Sequence, residues 1–120
     1  MLTRRTWLRA GAAATALRTA QAQTSAIETI TRQPANYHGW ASAAMRRNGE
    51  LVVVCSGGRE AHVCPFGRVE QIRSRDGGRT WSWPEVIMDS PIDDRDAGVC
   101  ETSSGALLVT TFTSLAYENV

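Results

Sequence analysis

The 120-residue chain has no lysine, and all 13 of its basic residues are arginines. Its composition fits GC-rich coding and carries no mechanism. Four arginines (Arg4, Arg5, Arg9 and Arg18) fall in the first 22 residues, where no acid is found. The remainder holds nine arginines against 12 acids, a formal charge of −3. That balance excludes a basic nucleic-acid-binding surface. Three cysteines are too few, and too odd a number, for a disulfide scaffold. No apolar run approaches the roughly 18 residues of a membrane span. No segment after residue 22 keeps a helical period. An apolar fraction of 42% is too high for a disordered chain. About one ordinary domain is left.

The chain opens Thr3-Arg4-Arg5-Thr6-Trp7-Leu8, with a weakly apolar stretch from Ala10 to Leu17 and the small residues Ala20-Gln21-Ala22. This order resembles a bacterial twin-arginine signal peptide, residues 1–22, cleaved after Ala22. It implies passage through the twin-arginine export machinery to the periplasm or beyond. A mature chain of 98 residues would remain. Cys55 and Cys100 lie in strand-like runs and read as small buried residues. Cys64 lies in a loop, where a disulfide stays open.

The strand signals are short. Ala26 to Thr31, Gly39 to Met45, Arg68 to Ser74 and Trp81 to Met88 read as strands. Leu51 to Cys55 is apolar on both faces, which predicts burial between two layers. Leu107 to Phe112 repeats that type. Turn signals stand between them at Asn48-Gly49, Gly57-Gly58, Asp76-Gly77-Gly78 and Ser104-Gly105. Two of these stretches match each other. Asn48 to Val54 superposes on Ser104 to Thr110 with an offset of 56 residues. Each follows a strand of small residues, Ala41 to Met45 or Ala97 to Cys100. A strand-only repeat of this length fits propeller blades or two hairpins of one sandwich.

Ser74-Arg75-Asp76-Gly77-Gly78-Arg79-Thr80-Trp81 fills every defined position of S-x-D-x-G-x-T-W, the Asp box. The Asp76 carboxylate can accept N–H groups inside the turn. Gly78 supplies a positive φ, Ser74 closes the turn, and Trp81 anchors the hairpin. With this box, the stretch from Tyr37 to Ser114 resembles the sialidase (neuraminidase)-type BNR-repeat family. The resemblance implies an all-β, six-bladed propeller. Residues 37–93 would form the first blade, with the Asp box at 74–81, and 94–120 would start the second. Residues 23–36 would be a linker and a possible ring-closing strand. A ring of six needs far more chain, so the sequence reads as the amino-terminal piece of a longer protein.

The resemblance implies an exported glycoside hydrolase acting on a sialoglycoconjugate or another glycan, without a cofactor. Enzymes of this family hold the substrate carboxylate with three arginines. They use a Tyr–Glu pair as nucleophile and an Asp as acid/base, outside the two-carboxylate plan. Most of those parts belong to later blades. In the first blade, Tyr37-His38-Gly39-Trp40 stands where the family has its first arginine. The loop after Arg59 has no aspartate, which leaves Glu60 or His62 as proton donor. Arg59 matches the family's Gly-Arg and is either an anion contact in the pocket or half of a strand-end ion pair. Arg95 and Asp96 open the second inner strand, at the rim of the implied pocket. His38 either lines that pocket or is a hydrogen-bonded structural residue. Trp40 either stacks on a sugar or fills the core. The acids from Asp93 to Asp96 lack the order of a calcium loop, and no metal is expected. The alternative to the hydrolase is a non-catalytic propeller that binds glycans or proteins.

Overall fold

The computed structural model describes residues 27–117, and every regular element among them is a strand. β1 (Tyr37–Met45), β2 (Leu51–Arg59), β3 (Arg68–Ser74) and β4 (Glu85–Met88) form one antiparallel sheet in that order. β5 (Asp93–Glu101) and β6 (Leu107–Ser114) form a second, two-stranded sheet. The molecule is all-β. The proposed signal, residues 1–22, and the chain end, 118–120, lie outside the described residues.

The 56-residue offset holds in the backbone. Gly49 and Gly105 both turn at positive φ, 84° and 85°. In the first hairpin Arg46 N donates to Glu50 O at 2.8 Å, and in the second Thr102 N donates to Ala106 O at 2.8 Å. Glycine, which has no Cβ, takes such a φ at no steric cost. β1 and β5 each carry a bulge as well. Between the pairs Gly39↔Ser56 and Ser42↔Val54, β1 has one residue too many. Between Arg95↔Phe112 and Gly98↔Thr110, β5 has the same excess. Trp40 (φ 49°) and Asp96 (φ 55°) sit in these bulges, again 56 residues apart. Positive φ at a non-glycine is uncommon, and a tryptophan there is an outlier.

One face of the first sheet meets the second sheet. Val52, Val54 and Val69 are fully buried against Ala97, with Val99, Leu107 and Val109 packed around them. Burying a valine side chain is worth about 1.5–3 kcal/mol, so this patch holds the two units together. At the far, hairpin end an ionic clip adds to it. Glu101 accepts Arg46 Nε at 3.3 Å and the Arg47 N–H at 2.8 Å. Arg47 also donates to Ser103 O and Thr102 O, and Arg46 to Gly105 O.

Several expectations need correction. Ile27 to Thr31 is irregular and not a strand, with Ile27 fully exposed. Of Trp81 to Met88 only Glu85–Met88 is a strand. Pro84, which has no N–H for a ladder, stands at its start. Leu107 to Phe112 is not buried on both faces. Leu107 and Val109 pack inward, whereas Leu108 and Phe112 are half exposed. Cys100 is exposed because it pairs across the hairpin with Leu108, on that uncovered face. Cys55 and the loop residue Cys64 are buried, and all three thiols are free. Burial, with the nearby Glu70 carboxylate, pushes the Cys55 thiol up to about 11.

Candidate functional site

The bulge in β1 places Trp40 where the start of β1, the end of β2 and the start of β5 converge. His62 meets its ring edge-on at 4.8 Å, and Tyr37 lies 6.1 Å away. The Arg95 and Arg59 guanidinium carbons lie 4.7 and 5.2 Å from the Trp40 ring centre. Cations over an indole face are stabilised by its quadrupole. Two guanidinium groups thus sit against the Trp40 ring.

Arg59 is wholly buried. Its Nη2 donates to Asp93 Oδ2 at 2.6 Å and to His62 O at 2.8 Å, and its Nε reaches Ala61 O at 3.4 Å. It is an interior ion pair between the two sheets. Arg95 approaches the same Asp93 oxygen at 3.6 Å. Two guanidinium groups share one carboxylate, which leaves a net positive charge at the cluster. Gly67 packs directly on Asp93, and any side chain there would displace the carboxylate.

Beside this cluster His38 faces Glu70, Nε2 to Oε2 at 3.3 Å, and its Nδ1 lies 3.2 Å from Asn36 O. Glu70 is fully buried and accepts Arg68 Nε at 2.8 Å. His38 and Trp40 line a small cavity of about 170 Å³ with Ile30, Thr31, Val53 and Ile72. Asp96 is exposed, and its N–H donates to Ser56 Oγ at 2.9 Å. Glu60 and His62 are exposed in the loop between β2 and β3.

Asp94 accepts both the N–H and the hydroxyl of Ser90, at 2.6 and 2.9 Å. With Asp93 and Asp94 engaged, no group of three or more potential ligands among the described residues is arranged to hold a metal ion.

Among the described residues, the buried side-chain atoms outside any hydrogen bond are Arg59 Nη1, Asp93 Oδ1 and Arg95 Nε, together with His38 Nε2 and Glu70 Oε2, which face each other at 3.3 Å. All belong to this end of the molecule. Buried polar groups are ordinarily satisfied by protein groups or by ordered water.

The Asp box is the opposite case. Asp76 Oδ1 accepts Thr80 N at 2.9 Å, Arg79 N at 3.1 Å and the Ser74 hydroxyl at 2.9 Å. Its Oδ2 accepts the Thr80 hydroxyl at 2.6 Å. Ser74 Oγ accepts Gly78 N, and Trp81 Nε1 donates to Gly78 O. Gly77 and Gly78 run at φ 74° and 88°. The Thr80 hydroxyl and N–H, aided by Ser74 and Arg79, hold the Asp76 carboxyl at about 2. A carboxylate so fully engaged has no capacity left for a substrate. A wider groove of about 550 Å³ lies next to it, between Arg73, Trp81, Trp83 and Glu85. It sits at the short outer strand, away from the orphaned atoms.

The structure thus brings Trp40, Arg59, His62 and Arg95 together, with His38 and Asp96 on neighbouring positions and Glu60 in the adjoining loop. Sequence reasoning missed Tyr37, Glu70 and Asp93. Glu70 carried a signal, since a charge at an inward position of a strand demands a buried partner. No protein-family model, curated protein or solved structure matches the chain.

Proposed function

We propose that the chain supplies the first blade and the opening half of the second in a six-bladed Asp-box propeller of sialidase type. Residues 1–22 export it by the twin-arginine route to the periplasm or beyond. The full site is a glycoside hydrolase centre acting on glycans. The repeated bulge carries this reading: Trp40 and Asp96 take the same unusual backbone at the same repeat position. Strain of this kind costs on the order of 1–3 kcal/mol and persists where surrounding structure enforces it. Bulges are frequent beside active sites, where they re-aim a side chain, and this repeated pair supports a shared axial pocket.

The chemistry available there fits an anionic or hydroxyl-rich sugar. Arg95 offers a cationic group, Asp96 an exposed acceptor, and Glu60 or His62 a proton. One observation favours the second reading, a propeller that binds glycans without cleaving them. Arg59, placed by the resemblance in the pocket, is instead consumed by Asp93 and two carbonyl groups.

The two readings separate on a panel of sialylated and neutral oligosaccharides, scored for both retention and reducing-end release. Retention with release supports the hydrolase, and retention alone supports the binding module. If wild type and Arg95→Met retain the same sugars equally, neither reading of this end stands.

A further inference from the structure

His38 stands where β1 is held least by its ladder. The pairing of β1 with β2 is irregular between Tyr37 and Gly39 and again between Gly39 and Ser42. The His38 ring ties this stretch to β3 instead, across the intervening β2. Its Nδ1 lies 3.2 Å from Asn36 O, and its Nε2 lies 3.3 Å from Glu70 Oε2. Both neighbours are acceptors, a carbonyl oxygen and a carboxylate oxygen, whereas a neutral imidazole has one N–H to give. With Nδ1–H donated to Asn36, Nε2 turns a lone pair toward Glu70. The bridge is complete only with one more proton between Nε2 and Oε2. The Glu70 carboxyl has little freedom to turn away. Its other oxygen accepts Arg68 Nε at 2.8 Å, its carboxyl lies directly on Gly57, and the residue is fully buried.

We propose that this shared proton is a pH-sensitive latch on the start of β1. With the proton in place, His38 ties β1 to β3. Once it is gone, two lone pairs face each other in a buried site, the contact opens, and the stretch from Tyr37 to Ala41 loosens. Trp40 follows His38 by two residues and is held at φ 49°, a conformation that persists only where its surroundings enforce it. The proton therefore sets how firmly Trp40 is presented beside Arg59, Arg95 and His62. The other groups around the latch keep one charge state through the histidine range. Arg68 stays a cation. The Cys55 thiol on β2, pushed up to about 11 by burial and by Glu70, stays neutral. The segment before β1 brings Asn36, and it brings Ile30 and Thr31 to the shared cavity, none of them charged. The inference rests on this geometry alone and holds whatever the site binds.

The test is nitrogen NMR of the histidine rings in the 120-residue chain, beside urea unfolding, from below to above the histidine range of about pH 5–8. The chain has two histidines, so His62→Gln leaves only the signals of His38. As pH rises through the His38 titration, the urea midpoint should fall, because stability that depends on a bound proton is lost as the proton leaves. In the same step the backbone order of Tyr37 to Ala41, read by NMR relaxation, should drop. Glu70→Gln offers an amide N–H to the neutral ring, so its midpoint should stay flat or rise over that step. His38→Gln carries an amide donor at every pH and should be flat as well, which decides the matter should Glu70→Gln not fold. His62→Gln should keep the fall seen in wild type. A wild-type midpoint that ignores the His38 titration overturns the proposal. So does unchanged order at Tyr37 to Ala41, a fall that survives in either folded variant of the pair, or a fall that vanishes with His62.

Discussion

The two ends of this pair of sheets are built on opposite principles. At the hairpin end, Asp76 has both oxygens occupied, and Glu101 receives two arginines. At the other end, charged groups are buried with atoms left over, and a tryptophan is held at positive φ. Among the described residues, two of the three non-glycine residues at positive φ, Trp40 and Asp96, lie at this second end. A chain that satisfies its polar groups so completely at one end does not fail at the other through poor packing. Under the reading proposed above, a glycan would bind at this second end.

The contrast breaks most severely at Asp93. Asp93→Ala leaves Arg59 buried and uncompensated, which costs on the order of 3–5 kcal/mol. Replacing the pair together, Arg59→Met with Asp93→Leu, should recover much of that loss. Chemical denaturation of the three proteins checks this. A single variant as stable as wild type would mean that the pair is not buried as described.

At the hairpin end the effect should be smaller. Glu101→Ala removes the acceptor of the Arg47 N–H and of Arg46, at a cost on the order of 1 kcal/mol. The loss should shrink in high salt, because these groups are partly solvated. The Asp93 effect should barely change with salt. Equal salt dependence at both ends would erase the comparison.

How much of this was legible follows the range of the interactions. The Asp box was readable because its bonds span at most four residues, from Ser74 to Thr80. The hairpins at Gly49 and Gly105 were readable for the same reason, and their likeness exposed the repeat. For Arg59 an ion pair was one of two readings, but its partner Asp93 was not legible, since it lies on the other sheet 34 residues away in sequence. Leu107 to Phe112 carries an apolar pattern that fits two buried faces, yet only one is covered among the described residues. Cys100 shares that misreading, because its exposure depends on what lies over Leu108. The bulges were invisible, as nothing in the side chains of Trp40 or Asp96 announces an extra residue in the ladder.

Acid sharpens the comparison further. Thr80, Ser74 and Arg79 hold the Asp76 carboxyl at about 2, below its ordinary value of 3.8. Arg46, then Arg75 and Arg73, depress Glu50 as well. A lowered folded-state value means stability that is complete above the unfolded value and lost as pH falls through the folded one. The melting temperature should thus decline between about pH 4 and pH 2. Asp76→Asn should start a few degrees lower and lose less over the same window. A parallel decline in wild type and variant would remove the Asp box from the cause.

The claim that the inner end trades stability for a ligand is tested most directly by Asp96→Gly, followed by thermal melting beside titration with a sialylated oligosaccharide. Glycine accepts a φ of 55° without a Cβ penalty, so the account predicts a variant more stable by up to about 1 kcal/mol. The same variant lacks the exposed carboxylate and should bind the sugar at least several-fold more weakly. A variant that melts lower than wild type, or that melts higher and binds equally well, would contradict it.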